Sequence, residues 1–213
     1  QLEWDLIMQA SVKIMDIDVD MMSNDVFVRK MNEYLTDDHL DVIMFASTKM
    51  LNKAMEDEEY RALLEKADLF LPGEKALLAT HHVDALEAGD MVVNYRSLGM
   101  MLENLIKEDR TLYIIADTEE AVEKLLHYCK KMQPELRMVG SYSCEQGMED
   151  AAIVNEINSH TPDMILLNLP VGLQEGWIME HSSLLNARLC IAIGGVAELI
   201  YAAIRQSRED DVT

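Results

Sequence analysis

Residues 162–196, PDMILLNLPVGLQEGWIMEHSSLLNARLCIAIGGV, place two short apolar runs, a helical pattern and a glycine pair in one uninterrupted stretch. The run over 163–167 opens at Pro162; it is too short for a helix and suits a buried strand. A break follows over 168–172, with Pro170 and Gly172. Beyond Gln174 and Glu175, residues Trp177, Ile178, His181, Leu184 and Leu185 recur at spacings of three and four, the period of a one-faced helix. The second run, 189–193, stops at Gly194 and Gly195. Strand, helix and strand predict a right-handed parallel crossover, with the two strands adjacent inside a sheet. Ligands of such sheets bind at the strand C-terminal ends, where the Gln174 and Glu175 elbow and the Gly194 and Gly195 turn both fall.

The alternation extends along the chain. Strands are expected over 12–17, 41–46, 68–71, 112–116 and 136–139. Helical patterns cover 49–55, 57–66, 74–83, 97–107, 118–132, 147–159 and 196–207. Ser23 caps a further helix ending near residue 35, and Ser47 or Thr48 opens the next one. The helix after 112–116 enters through Asp117 or Thr118; Asp117 with Glu120 has the spacing of a capping box. Strands alternating with helices predict an α/β fold, Rossmann-like, with a mostly parallel sheet and helices on both faces. The expected organisation is an N-terminal helix over 1–11, a single domain over 12–208 and an acidic tail over 209–213. Leu2, Trp4 and Leu6 give the first helix a small apolar face. It either docks or dimerises the chain, making a homo-oligomer, or lies on its own domain.

Charge removes several function classes. With 39 acidic against 18 basic residues the net charge is −21, a field that repels nucleic acid and anionic lipid. A small anion held by backbone N–H groups and one arginine remains compatible with it. No apolar run has the length of a transmembrane segment, and the first ten residues lack a signal-peptide pattern. Cys129, Cys144 and Cys190 stand apart without metal or disulfide spacing and read as reduced thiols, so the expected location is cytoplasmic.

The central stretch also resembles the WecG/TagA/CpsF family of glycosyltransferases. That family has a G-x-G-x-P-x-Q-E elbow, a tryptophan in the next helix, and a strand ending in G-G-x-F-D. Gln174, Glu175, Trp177, Gly194 and Gly195 match; Asn168, Pro170 and Gly172 replace the elbow's glycines and proline, and Ala197 and Glu198 replace the F-D pair. The family's A-D-L-x-x-P-D-G is matched at Ala67, Asp68, Leu69 and Pro72, with Gly73 at the aspartate position and Glu74 at the glycine. Its V-x-G-x-D-L becomes Val93, Asn94, Tyr95, Arg96, Ser97 and Leu98. Gln133, Pro134, Leu136, Val139 and Gly140 resemble its Y-P-x-L-x-I-V-G.

The resemblance implies transfer of a hexose-type sugar from a nucleotide donor, UDP-linked, to a hydroxyl acceptor in cell-surface polysaccharide synthesis. It implies no cofactor and no metal. Gln174, Glu175, Gly194 and Gly195 would hold nucleotide and sugar, and Arg96 the diphosphate. Ser47 and Thr48 fall where the family has an asparagine and are donor contacts or caps. Asn168 either reads a hydroxyl or closes the elbow's backbone bonds. Glu74 is the candidate base, or else an acid at a helix start. Substitution at the base position supports a second reading, a nucleotide-sugar-binding or partner-binding protein that kept the fold without the chemistry. His81, His82, Asp84 and Glu87 do not make a convincing metal site, because adjacent helical residues point about 100° apart. Cys144 beside Glu145 has no assignable histidine and reads as a buried, inert thiol.

Overall fold

The structure, a computed structural model, describes residues 10–79 and 95–210. The chain opens with an antiparallel hairpin of β1 (Ala10–Ile14) and β2 (Ile17–Met21). The sequence predicts one strand over 12–17 and a helix over 1–11; instead Ala10 and Ser11 already belong to β1. Met15 and Asp16 make the reversal with φ of 51° and 62°. That two-residue geometry is usually signalled by glycine or asparagine, which this turn lacks.

The remaining strands are β3 (Asp41–Ala46), β4 (Leu69–Pro72), β5 (Thr111–Ala116), β6 (Arg137–Ser143), β7 (Met164–Asn168) and β8 (Leu189–Ala192). They form one parallel six-stranded sheet in the order β4-β3-β8-β7-β5-β6, the Rossmann-like α/β arrangement expected. β7 and β8 are adjacent interior strands, with Met164 opposite Leu189 and Leu167 opposite Ala192.

Side chains alternate between two cores, as the pleat requires. Val42, Met44, Ile165, Leu167, Cys190 and Ala192 face one layer, made by α2 (Thr48–Glu56), α3 (Glu58–Glu65), α4 (Lys75–Ala79), α7 (Asp150–Ser159) and α8 (Leu173–His181). Ile43, Phe45, Met164, Leu166 and Ile191 face the other, made by α1 (Asn24–Leu35), α5 (Tyr95–Lys107), α6 (Glu119–Met132) and α9 (Ala197–Asp210). Ile165 and Leu166 point opposite ways and are both fully buried. Each such side chain contributes about 1.5–3 kcal/mol relative to exposure.

Element boundaries follow their caps. Ser23, Ser47, Asp57 and Thr118 each accept a bond from a backbone N–H three residues on. Asp117 does not cap α6: it accepts from Thr118 N at 3.0 Å, and Thr118 Oγ1 takes the capping bond from Ala121 N. A 3₁₀ turn, Cys144–Gln146, precedes α7, which starts at Asp150 rather than at 147, and this turn leaves Cys144 exposed where a buried thiol was expected. α9 runs to Asp210, two residues into the stretch expected as a tail.

The hairpin sits beside β4, the edge strand, where Asp20 Oδ2 accepts from Phe70 N at 2.9 Å and so occupies an otherwise open donor of the edge. At the N-terminal pole of the sheet, Asp41 opens β3 and is buried. Burial and the facing carboxyls of Asp37 and Asp68 push its carboxyl up to about 7, against the pull of His39. Among the described residues no helix is long and apolar enough to cross a membrane.

Candidate functional site

At the C-terminal pole the ends of β4 and β8 border a cavity of about 620 Å³. Its wall comprises Gly73, Glu74, Lys75 and Ala76 after β4, Gly194 and Gly195 after β8, and Glu198 and Leu199 in the first turn of α9. Parallel strands all point their C-termini here, so the connecting turns must converge at this pole.

The glycine turn is held from behind. Gln174 and Glu175 are fully buried in the first turn of α8 and do not line the cavity. Gln174 Oε1 accepts from Gly194 N at 3.0 Å, and Gln174 Nε2 donates to Glu175 Oε1 at 3.0 Å. Glu175 Oε2 in turn accepts from Gly172 N at 2.8 Å. These three bonds tie the elbow to the turn. Burial, followed by the Glu175 charge, pushes the Tyr60 phenol well above its ordinary range. Gly194 has no room for a side chain, since a Cβ would lie 1.8 Å from Leu169 O and 2.6 Å from Gln174 Oε1.

Glu74 lies half-buried in the same wall. Its Oε2 accepts from Thr48 Oγ1 at 2.6 Å and from Thr48 N at 3.2 Å, so the carboxylate is held at the N-terminus of α2. Charge-assisted bonds of this kind fix a carboxylate in place. Ser47 is buried and caps α2 through Met50 N at 3.2 Å; Thr48 is exposed. Gly73 beside Glu74 is constrained by packing, because a Cβ would approach Val196 Cγ1 to 2.4 Å and Ala46 O to 2.7 Å.

The other candidates lie further along the pole. Asn168 ends β7, half-buried, against the Tyr201 phenol. Burial pushes that phenol well up, with Cys129, Glu198 and Tyr128 adding to the shift and Asn168 opposing it. Arg96 falls in the first turn of α5, and its side chain lies outside the described residues, as do His81, His82, Asp84, Glu87 and residues 1–9 of the helix expected over 1–11. Ser97 is buried and donates to Asn24 Oδ1 at 2.8 Å, joining α5 to α1.

Three wall residues escape a motif-based reading, Lys75, Ala76 and Leu199, and a fourth, Glu198, was read only as a departure from the family's F-D pair. Glu198 and Leu199 follow directly from a glycine pair that opens a helix, which was the available signal. Glu198 also pairs with Lys124 Nζ at 3.4 Å, and Leu199 is 49% exposed. Chemically, the cavity joins the N-terminus of α9, whose first-turn N–H groups suit an anion, to a fixed carboxylate that can accept a proton.

Residues 12–206 match the Glycosyl transferase WecG/TagA/CpsF family. The chain is also similar to the N-acetylglucosaminyldiphosphoundecaprenol N-acetyl-beta-D-mannosaminyltransferase of Bacillus spizizenii. The two are 18% identical over 174 residues, covering 82% of this chain and 67% of that protein.

Proposed function

We propose, for a chain that belongs to the Glycosyl transferase WecG/TagA/CpsF family, that it transfers a hexose-type sugar from a UDP-linked donor to a hydroxyl acceptor during cell-surface polysaccharide synthesis. The donor lies in the cavity, its diphosphate against Gly194, Gly195 and the start of α9, with Arg96 and Asn168 as further contacts. Gln174 and Glu175 serve as positioning residues behind the turn. Glu74 is the base. In the transfer step the bond between the sugar's anomeric carbon and the phosphate oxygen breaks, and UDP leaves with that electron pair. The acceptor oxygen bonds the same carbon as its hydroxyl proton passes to the Glu74 carboxylate.

One observation carries this reading: Glu74, a carboxylate held by Thr48, lines the same cavity as the glycine turn. The relative's printed activity, a glycosyl transfer, supports the reaction class. A second reading, a nucleotide-sugar-binding protein without transfer, draws on Glu74 Oε2 being engaged by Thr48 and on Gly73 lacking room for a carboxylate.

A panel of UDP-hexoses and UDP-N-acetylhexosamines, read by calorimetry and by UDP release with a hydroxyl acceptor, separates the two. Wild type binds one donor and releases UDP; Glu74→Gln binds it equally but is slowed about 10²–10⁴-fold, the usual contribution of a positioned base. Binding without any release by wild type establishes the second reading, and no binding overturns both.

A further inference from the structure

The aspartates at the N-terminal pole of the sheet are used in two different ways. Asp68 Oδ2 accepts from Val42 N at 2.7 Å, and Asp163 Oδ2 accepts from Thr111 N at 2.8 Å with Arg110 on Oδ1 at 3.2 Å. Those carboxylates close the N-terminal ends of strands. Asp41 does not: its side chain is only 3% exposed, Oδ1 faces His39 Nε2 at 3.0 Å, and Oδ2 has no hydrogen-bond partner. A buried carboxylate oxygen left in that state is costly, and a bound cation is one partner that would satisfy it.

Asp37 supplies a second carboxylate. One donor atom from each of Asp37, His39 and Asp41 lies within 4.8 Å of the other two. The three come from alternate positions where the loop after α1 runs into β3, so the loop presents its donors to the strand's first residue. Arg188, from the segment before β8, braces the same loop by donating to Asp37 O and, at 3.3 Å, to Asp38 Oδ1. It leaves the Asp41 carboxylate to other partners.

We propose that Asp37, His39 and Asp41 bind one divalent cation of borderline softness, Zn²⁺ or its neighbours Co²⁺ and Ni²⁺. An imidazole with two carboxylates and no thiolate suits these ions, whereas Ca²⁺ and Mg²⁺ favour all-oxygen sets. The cation satisfies the open Asp41 oxygen, offsets the paired carboxylates and fastens the loop to β3. Water completes the coordination. The site lies roughly 20 Å from the cavity, the length of the six-residue strand β3, so its role is in the fold and separate from the transfer reaction.

The test titrates Zn²⁺ and Co²⁺ into EDTA-stripped, tag-free protein, by calorimetry for both and by visible ligand-field absorption for Co²⁺. One ion binds per wild-type chain. Binding is lost in His39→Ala and Asp41→Asn and kept in the double variant His81→Ala/His82→Ala. The His39 side chain is 70% exposed, so its removal leaves the fold intact and isolates the ligand effect. Zn²⁺ at about 100 times Kd raises the wild-type Tm by roughly 5–10 °C and leaves that of His39→Ala unmoved. Absence of saturable binding by wild type overturns the proposal. So does undiminished binding by His39→Ala.

Discussion

Gln174 Oε1 and Gly194 N, twenty residues apart in sequence, meet at 3.0 Å and lock the elbow of one crossover to the turn that ends it. The amide is fully buried. Replacing it with an apolar isostere leaves the Gly194 N–H and the Glu175 carboxylate each short of a partner. Gln174→Leu is therefore expected to cost about 1–3 kcal/mol in urea denaturation. Gly194→Ala is expected to cost more, because its Cβ meets a backbone oxygen. A Gln174→Leu protein as stable as wild type would show that the turn does not depend on this bond.

Gly73→Asp restores the family's residue type at the base position and is nonetheless expected to fail. The first side-chain atom meets Val196 and the Ala46 carbonyl oxygen, both in packed surroundings. Overpacking of this kind costs typically ~1–3 kcal/mol. Thermal denaturation should show the loss, with no rise in sugar transfer. Faster transfer in a normally stable Gly73→Asp protein would restore the direct motif reading.

Thr48→Val removes the 2.6 Å bond to Glu74 while keeping the side-chain volume. If that bond aims the carboxylate, kcat falls about tenfold with KM for the donor unchanged, the signature of misplaced catalytic geometry. A matched rise in KM with kcat preserved would instead make Thr48 a donor contact.

Asp20 provides a pH test of the hairpin's attachment. Burial, aided by Asp18, raises its carboxyl above the ordinary value, while the bond from Phe70 N works the other way. A carboxyl raised in the folded state binds its proton more tightly there than in the unfolded chain. Stability therefore falls as pH rises through the unfolded value and then the folded one. Asp20→Asn lacks this loss. Its ΔG relative to wild type should improve as pH rises from the ordinary aspartate value through the raised one, and level off above. The opposite slope would mean that the Phe70 bond outweighs burial.

The sheet was legible because its strands are uninterrupted apolar runs; β3, β5, β7 and β8 fall within a residue or two of the expected positions. The hairpin was hidden because Met15 and Asp16 adopt positive φ without a glycine to announce it. At the site, Gly194 and Gly195 could be read from their place after an apolar run, and Glu74 from its neighbourhood with Pro72. What periodicity does not carry is depth. Gln174 and Glu175 lie where a ligand-facing pair would be written in sequence, yet the helix turns both inward, behind the wall. Conversely, Leu199, an apolar residue of the helix expected over 196–207, is half exposed.

The position of β8 has a consequence in time. This strand, the last made, inserts between β3 and β7, with Asp41 opposite Leu189 and Met164 opposite the same residue. Until residues 189–192 leave the ribosome, β3 with β4 and β5 with β6 and β7 are two half-sheets, each exposing an unpaired backbone edge. The nascent chain thus carries its two most adhesive surfaces through most of its synthesis, and only the final strand closes the gap between them. The pairing of β3 with β8 spans most of the chain, a long-range closure that slows folding. Released early, at residue 186 for example, the chain should aggregate; completed, it buries both edges in one step.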